Sequence, residues 1–599
     1  MSALGEGMIC LNLILFLKQV DALNERLNKE SLSEFVHEWA RGLPENQRDA
    51  FLAELAKGLN PENLPKTPET RKEAESPSDE CAATLAELER ISTGDLRLTA
   101  QFNEEYDDWY DDGSEEFLYE DPHGVGETID NAIDLAHKRM DMEDYANAYS
   151  LGNALIEICV SVAEDGEYDY DDFSLFDMRD VKRISRDLRP LVLETICAAY
   201  MTVSPEQRPE TLYRLFEHSQ EETVSFEDAM RSAGKELPGI AEFLDAWVAY
   251  LGGIKGELSR RLFEEAAFLR NDRDAFIRAA SDYADIHPGL YERILLTERE
   301  TGNADSLFTL GQEALAKLRP NLMVRSRIAL LTAENALRMG NQDAAEQCWL
   351  EAFRSYPAPL GYLRLCTESR DFSRFRDEAR NIYRTRAEQN PRDYPLWNAE
   401  KDELSESGMS KRDFYTLNFL DGDFQTVLNE GMNVTNALGW SSTFMKRGIT
   451  LFLLYLYRGE RLESGLRYLC GQMTAGMPFS WKEYAKGLTR PVTESNEDLF
   501  WARFRIWRES VPMPDEFQTR MIQRLTEWLE LRVQGIMDAN RRKYYDECAG
   551  FVAALGEVKE SRGERDGKQT EALLWKAKYS RRTAFHQELR QFGMKDGKR

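Results

Sequence analysis

The chain has little of what catalytic and metal sites are usually made from. Its 599 residues include only six histidines and eight cysteines. No histidine sits in an H-E-x-x-H pattern, since His37-Glu38 is followed by Trp39-Ala40-Arg41. The cysteines are Cys10, Cys81, Cys159, Cys197, Cys348, Cys366, Cys470 and Cys548, with no Cys-x-x-Cys pair among them. That scatter gives neither a zinc spacing nor a disulfide framework. Several fall on apolar helix faces, so they read as buried, reduced thiols of a cytoplasmic protein. No G-x-S-x-G elbow occurs. Gly124-Val125-Gly126 lacks the third glycine of a dinucleotide fingerprint, and Gly252-Gly253-Ile254-Lys255-Gly256 lacks the order of a phosphate cradle. No catalytic residue, metal or cofactor is assigned, and the chain is expected not to be an enzyme.

Long apolar runs are also missing. The strongest, residues 8–17 (MICLNLILFL), falls short of the ~20 residues that span a bilayer. No Lys or Arg precedes it and no small-residue cleavage site follows, which argues against a secretory signal. It reads as a buried N-terminal helix, with no membrane partner. No segment sustains a period of two, so essentially no sheet is expected.

What the chain does have is acid and helical periodicity. Asp and Glu number 106 against 76 Lys and Arg, a formal net charge of −30. Such an excess opposes binding to nucleic acid or anionic membrane over most of the surface and favours basic partners. A hydrophobic content of 42% is enough to build cores.

Residues 1–58 read as an N-terminal helical domain, and 59–80, rich in proline and poor in apolar residues, as a linker. Residues 81–235 read as a helical domain broken by two acidic, aromatic stretches, Glu104–Asp121 and Glu164–Asp172, neither of which holds a Lys or Arg. Between them, 128–160 has the pattern of a helical hairpin. Helical patterns then alternate with short turns over 236–475, including Asn271-Asp272, Gly302-Asn303 and Gly340-Asn341. Residues 476–599 read as a C-terminal helical domain with a basic end. Within it a long helix is predicted over 515–548, a flexible polar stretch over 559–570, and a basic helix over 571–592.

In 342–357, Ala345, Cys348, Trp349, Ala352 and Phe353 form one apolar stripe at helical period, bounded by Gly340 and Pro357. With Ala333 in the preceding helix, residues 325–357 resemble a tetratricopeptide repeat, although Ala329 and Ala336 stand where that repeat has large aromatics. The resemblance implies an all-α fold, an α-solenoid of antiparallel helix pairs. Such pairs bury their stripes only by stacking. Phe551–Val558 (FVAALGEV) and Tyr579–Leu589 are similar to helical regions of bacterial proteins that carry SWIM-type zinc modules. The zinc module itself is absent, so no zinc or DNA role carries over.

Acids interleaved with aromatics have the composition of a docking surface for a basic protein segment. Trp109, Tyr110, Asp111, Asp112, Tyr119, Tyr168, Tyr170 and Asp171 are the candidate partner-binding residues. The chain is therefore expected to be a protein–protein interaction scaffold or regulatory subunit. A nucleic-acid-associated accessory protein is the alternative, contacting phosphate through Lys576, Arg581 and Arg582 of the tail. Trp575, Tyr579, Phe585 and Leu589 form an apolar face on that tail, which favours packing inward instead. A helical enzyme with a dispersed site is the third reading, and it predicts a pocket of convergent polar groups.

Overall fold

The computed structural model describes residues 77–102, 117–163, 172–392, 403–434, 437–477 and 481–595. The N-terminal domain and most of the predicted linker lie outside them. The fold is all-α, with 26 α-helices among the described residues. The chain divides into two compact units, Met1–Tyr250 and Leu251–Arg599, so residues 251–475 and 476–599 share one unit.

In the first unit a helix begins at Pro77, inside the span read as a linker. Proline suits the first helical position, where its missing N–H costs nothing, and Asp79 and Glu80 complement the helix dipole there. The predicted hairpin forms as Val125–Asp141 and Tyr145–Ile156, and the Asp144 side chain accepts from Asn147 N at the second start. Both pack on Leu188–Thr202, a helix buried at Leu188, Leu191, Val192 and Ile196 and capped by Asp187. Near-continuous burial explains why that helix lacks a clean amphipathic stripe.

As expected, there is almost no sheet among the described residues; the little there is has short strands. Leu98–Phe102 pairs antiparallel with Phe117–Glu120 and parallel with Val162–Ala163. These strands are two to five residues long, too short for their alternation to stand out in the sequence.

The second unit opens with helix pairs. Asp272, Asn303 and Asn341, each in a predicted turn, cap Arg273–Asp282, Ala304–Lys317 and Gln342–Ser355 by accepting from backbone N–H groups of the first turn. Gly340 has φ 74°, the left-handed conformation a side chain would resist. Met323–Arg338 touches Gly289–Thr297, Ala304–Lys317 and Gln342–Ser355, so it meets neighbours one and two helices away. Gln342–Ser355 likewise meets Pro359–Glu368 and Ser373–Gln389, and both of those meet Lys411–Asp421. The apolar stripe of Gln342–Ser355 is inside: Ala345, Cys348, Trp349, Ala352 and Phe353 are all buried.

The unit ends in a bundle around Tyr545–Ser561. That helix is enclosed by Met445–Leu456, Ser464–Ala475, Asp515–Asp538, Gly567–Lys578 and Thr583–Gln591. Full burial of Phe551, Val552 and Leu555 contributes about 1.5–3 kcal/mol each. The FVAALGEV stretch is small where neighbours come close. A Cβ on Gly556 would lie 2.6 Å from Lys568 Cα. Its acid has a structural task too. Glu557, fully buried, accepts from Gly465 N and Leu466 N at 2.8 Å each, which caps the start of Ser464–Ala475, and Lys568 Nζ lies 2.6 Å away.

Three boundaries differ from the sequence reading. The helix predicted over 515–548 stops at Asp538, where Asn540 takes φ 53°, and a new helix starts at Tyr545. The polar stretch 559–570 is helical to Ser561 and again from Gly567. The basic helix breaks in two, Gly567–Lys578 and Thr583–Gln591. In each case solvent-facing polar residues lengthen or bridge helices whose extent is set by packing on the central helix.

Candidate functional site

The acidic stretches come first, because the sequence points to them. Trp109, Tyr110, Asp111, Asp112, Tyr168, Tyr170 and Asp171 lie outside the described residues. Their flanks are described. The first stretch leaves the sheet after Phe102 and returns at Phe117, which pairs with it. The second leaves after Ala163, on a strand parallel to Leu98–Phe102. It returns at Phe173, whose N–H and carbonyl both bond to Val160 at 2.8 Å. Both stretches therefore depart from the same end of one sheet. Strand pairing thus joins the flanks of two stretches that lie some sixty residues apart in sequence.

The flanking residues hold the sheet together. Tyr119 is half-buried, its ring edge-on to Phe173 at 4.8 Å, and its carbonyl accepts from the Arg183 guanidinium. Asp121 spends both carboxylate oxygens on the N–H groups of Val125 and Gly126, each at 2.8 Å. Asp172 accepts from the Cys159 thiol at 3.3 Å.

Two of the tail's cations, Lys576 and Arg582, are turned inward, while Lys578, Arg581, Arg590 and Lys595 are exposed. Lys576 is 9% exposed and donates to the Met594 carbonyl at 2.8 Å. Arg582 donates to the Met537 carbonyl at 2.9 Å and to Asn540 Oδ1 at 2.5 Å. Arg581 is exposed. Trp575, Phe585 and Leu589 are buried in one cluster with Val533, Cys548 and Val552, and Tyr579 packs against its edge. The apolar face seen in the sequence packs inward and carries Lys576 and Arg582 with it.

A third region has no counterpart among the sequence candidates. Arg260 on Glu257–Leu269, Arg293 on Gly289–Thr297 and Arg327 on Met323–Arg338 stand 33 and 34 residues apart, on the first helices of three successive pairs. With Lys486 they line a cavity of about 280 Å³ that also meets Glu264, Glu292 and Glu403. Most of this charge is matched. Arg260 reaches Glu264 at 3.1 Å, Arg327 reaches Glu292 at 2.7 Å, and Lys486 reaches Glu483 at 2.7 Å. Glu403 accepts from Gly289 N at 2.7 Å and lies 3.0 Å from His287 Nδ1. Desolvation, chiefly, holds the Glu264 carboxyl above the usual carboxylate range. Arg293 is exposed and makes no hydrogen bond or ion pair among the described residues. A second cavity, about 510 Å³, is lined by Arg299, Glu334, Arg338 and residues 485–492. There Arg299 and Glu334 form a bidentate pair at 2.9 and 2.8 Å.

Lys486 lines the first cavity and Ala485 and Leu488 the second, and no pattern in the sequence pointed to this segment. The Trp349 indole donates to the Gly487 carbonyl at 2.9 Å, and Arg364 donates to the carbonyls of Glu483 and Tyr484. Gly487 has φ 78°, and a Cβ there would lie 3.2 Å from the Leu330 carbonyl. Tyr484 is fully buried, with its hydroxyl 2.5 Å from Glu368 Oε1. Part of the apolar side of helices 323–368 is thus covered by residues 483–488 of the same chain. A tandem arginine spacing of 33 and 34 residues was the signal available in the sequence.

Burial raises two of the buried thiols, Cys197 to about 11 and Cys348 to about 12. They stay protonated at neutral pH and are poor nucleophiles. Among the described residues no helix is long and apolar enough to cross a membrane. No protein-family model matches the chain, and no curated protein matches it.

Proposed function

We propose that this chain is a cytoplasmic protein–protein interaction scaffold or regulatory subunit. On this reading residues 257–389 form an α-solenoid of tetratricopeptide-like helix pairs, and partners are held by surface burial and charge, without bond chemistry. The observation that carries it is the layering of helices on neighbours one and two along the chain, with a charged cleft on the first helices of successive pairs. Stacked pairs offer extended surfaces of this kind. The departure of two carboxylate-rich stretches from one sheet end supports a second contact, with a basic segment of a partner.

The test is affinity purification of the full chain at about 50 and 300 mM salt, beside a variant with Asp107, Asp108, Asp111 and Asp112 changed to Asn. A stoichiometric protein partner retained at low salt, and weakened by both the variant and the higher salt, is the expected result. Absence of any stoichiometric partner, or one indifferent to salt and to the acidic residues, refutes the proposal.

A further inference from the structure

A third cavity, within the second unit and apart from the repeat cleft, has a wall of one charge sign. It encloses about 210 Å³ and is lined by Arg412, Thr443, Lys446, Arg447, Thr450 and Gln472, with Leu469, Met473 and Gly476. The cations come from two helices, Lys411–Asp421 and Met445–Leu456, and Ser464–Ala475 closes the third side. No carboxylate lines it, in a chain whose formal net charge is −30.

Two of the three cations have carboxylate partners that do not line the cavity. Arg447, 7% exposed, pairs with Asp413 at 2.9 Å and donates to the Gly476 carbonyl at 2.7 Å. Lys446 pairs with Glu547 at 3.0 Å. Neither acid reaches the cavity wall, so the counter-charge anchors the cations without filling the space they face. Thr450 donates to the Lys446 carbonyl and Thr443 to the Trp440 carbonyl, and Thr443 also accepts from Met445 N, so each hydroxyl oxygen keeps at least one lone pair to accept. The wall itself carries three cationic side chains and no carboxylate, a local field that favours an anion. The volume equals roughly seven waters at ~30 Å³ each, room for a phosphate group and a few attached atoms.

We propose that this cavity binds a small dianion of the phosphate-monoester type, clasped by Arg412, Lys446 and Arg447. The guanidinium forks match tetrahedral oxyanions in geometry as well as charge. A protonated phosphate oxygen also finds acceptors in the threonine hydroxyls.

The test titrates the full chain with inorganic phosphate, glycerol phosphate and succinate, by calorimetry and thermal shift, beside R412Q and Q472E variants. The Gln472 side chain is exposed and makes no hydrogen bond among the described residues, so Q472E adds a carboxylate to the wall and leaves the core alone. Circular dichroism and the unliganded melting temperature check that both variants fold. One saturable site for phosphate or its glycerol ester, a raised melting temperature, and about tenfold weaker binding in each variant is the expected result. Succinate bound in their place, with the same sensitivity to both variants, makes a dicarboxylate the source of the dianion. Absence of saturable binding for all three, or binding that both variants leave unchanged, overturns the proposal.

Discussion

Glu557 is a position where a single-atom change is expected to cost substantial stability. Its carboxylate is fully buried and takes two main-chain N–H groups and the Lys568 ammonium. In Glu557→Gln the shape is kept, but the charge goes, and the amide NH₂ faces a donor it cannot accept from. Breaking a buried ionic group costs about 3–5 kcal/mol. The low end applies, because the Lys568 side chain is 18% exposed and Glu463 lies 3.8 Å from its Nζ, a second counter-charge. About 3 kcal/mol in a compact unit of roughly 350 residues, at ~2.1 cal/mol/K of unfolding entropy per residue, lowers the melting temperature by about 4 °C. Urea unfolding and calorimetry measure it directly. Lys568→Met and the double variant complete a cycle whose coupling is expected at about 1–3 kcal/mol. A loss under about 0.5 kcal/mol, or additive single effects, would mean that the cap is incidental and the reasoning wrong.

Four further outcomes are expected. Phe585→Ala, in the buried C-terminal cluster, costs about 3–5 kcal/mol, whereas Arg581→Glu stays within about 0.5 kcal/mol; urea unfolding distinguishes them, and similar effects would contradict the inward packing of the tail. His137 is held above its ordinary pKa by its hydrogen bond to Glu194 at 2.6 Å, so its contribution is complete below the unfolded value near 6.5 and is lost as pH rises through the folded value. The stability gap between the natural protein and Glu194→Gln therefore narrows with rising pH, measured by urea unfolding from about pH 6 to 9; a gap that widens refutes the pairing. Trp349→Phe keeps the packing but loses the bond to Gly487, a cost of about 1 kcal/mol, and it raises proteolytic nicking near 487, read by limited proteolysis. Arg293→Glu reverses the exposed cation of the repeat cleft and leaves the melting temperature within about 2 °C, while weakening any partner that docks there by about tenfold, read by calorimetry.

Local signals in the chain were enough for the helices and their punctuation. Asp272, Asn303 and Asn341 cap where the turns were expected, because capping needs only a short polar side chain beside the next few N–H groups. The stripe from Ala345 to Phe353 is buried as its period implies. Ends such as Asp538 and Ser561 escaped, since packing around Tyr545–Ser561 decides them and no nearby residue announces it.

The sequence alone determined an all-α chain with a heavy acidic surplus and an apolar face on its basic tail, because period, composition and caps act over a few residues. Only the tertiary structure decided which charges meet. It placed Lys486 opposite Arg260, Arg293 and Arg327, gathered Arg412, Lys446 and Arg447 about one cavity, and paired the strands that flank two acidic stretches. Those meetings join residues far apart along the chain. Burial of apolar surface selects the topology that makes them, and the charges follow the backbone that carries them.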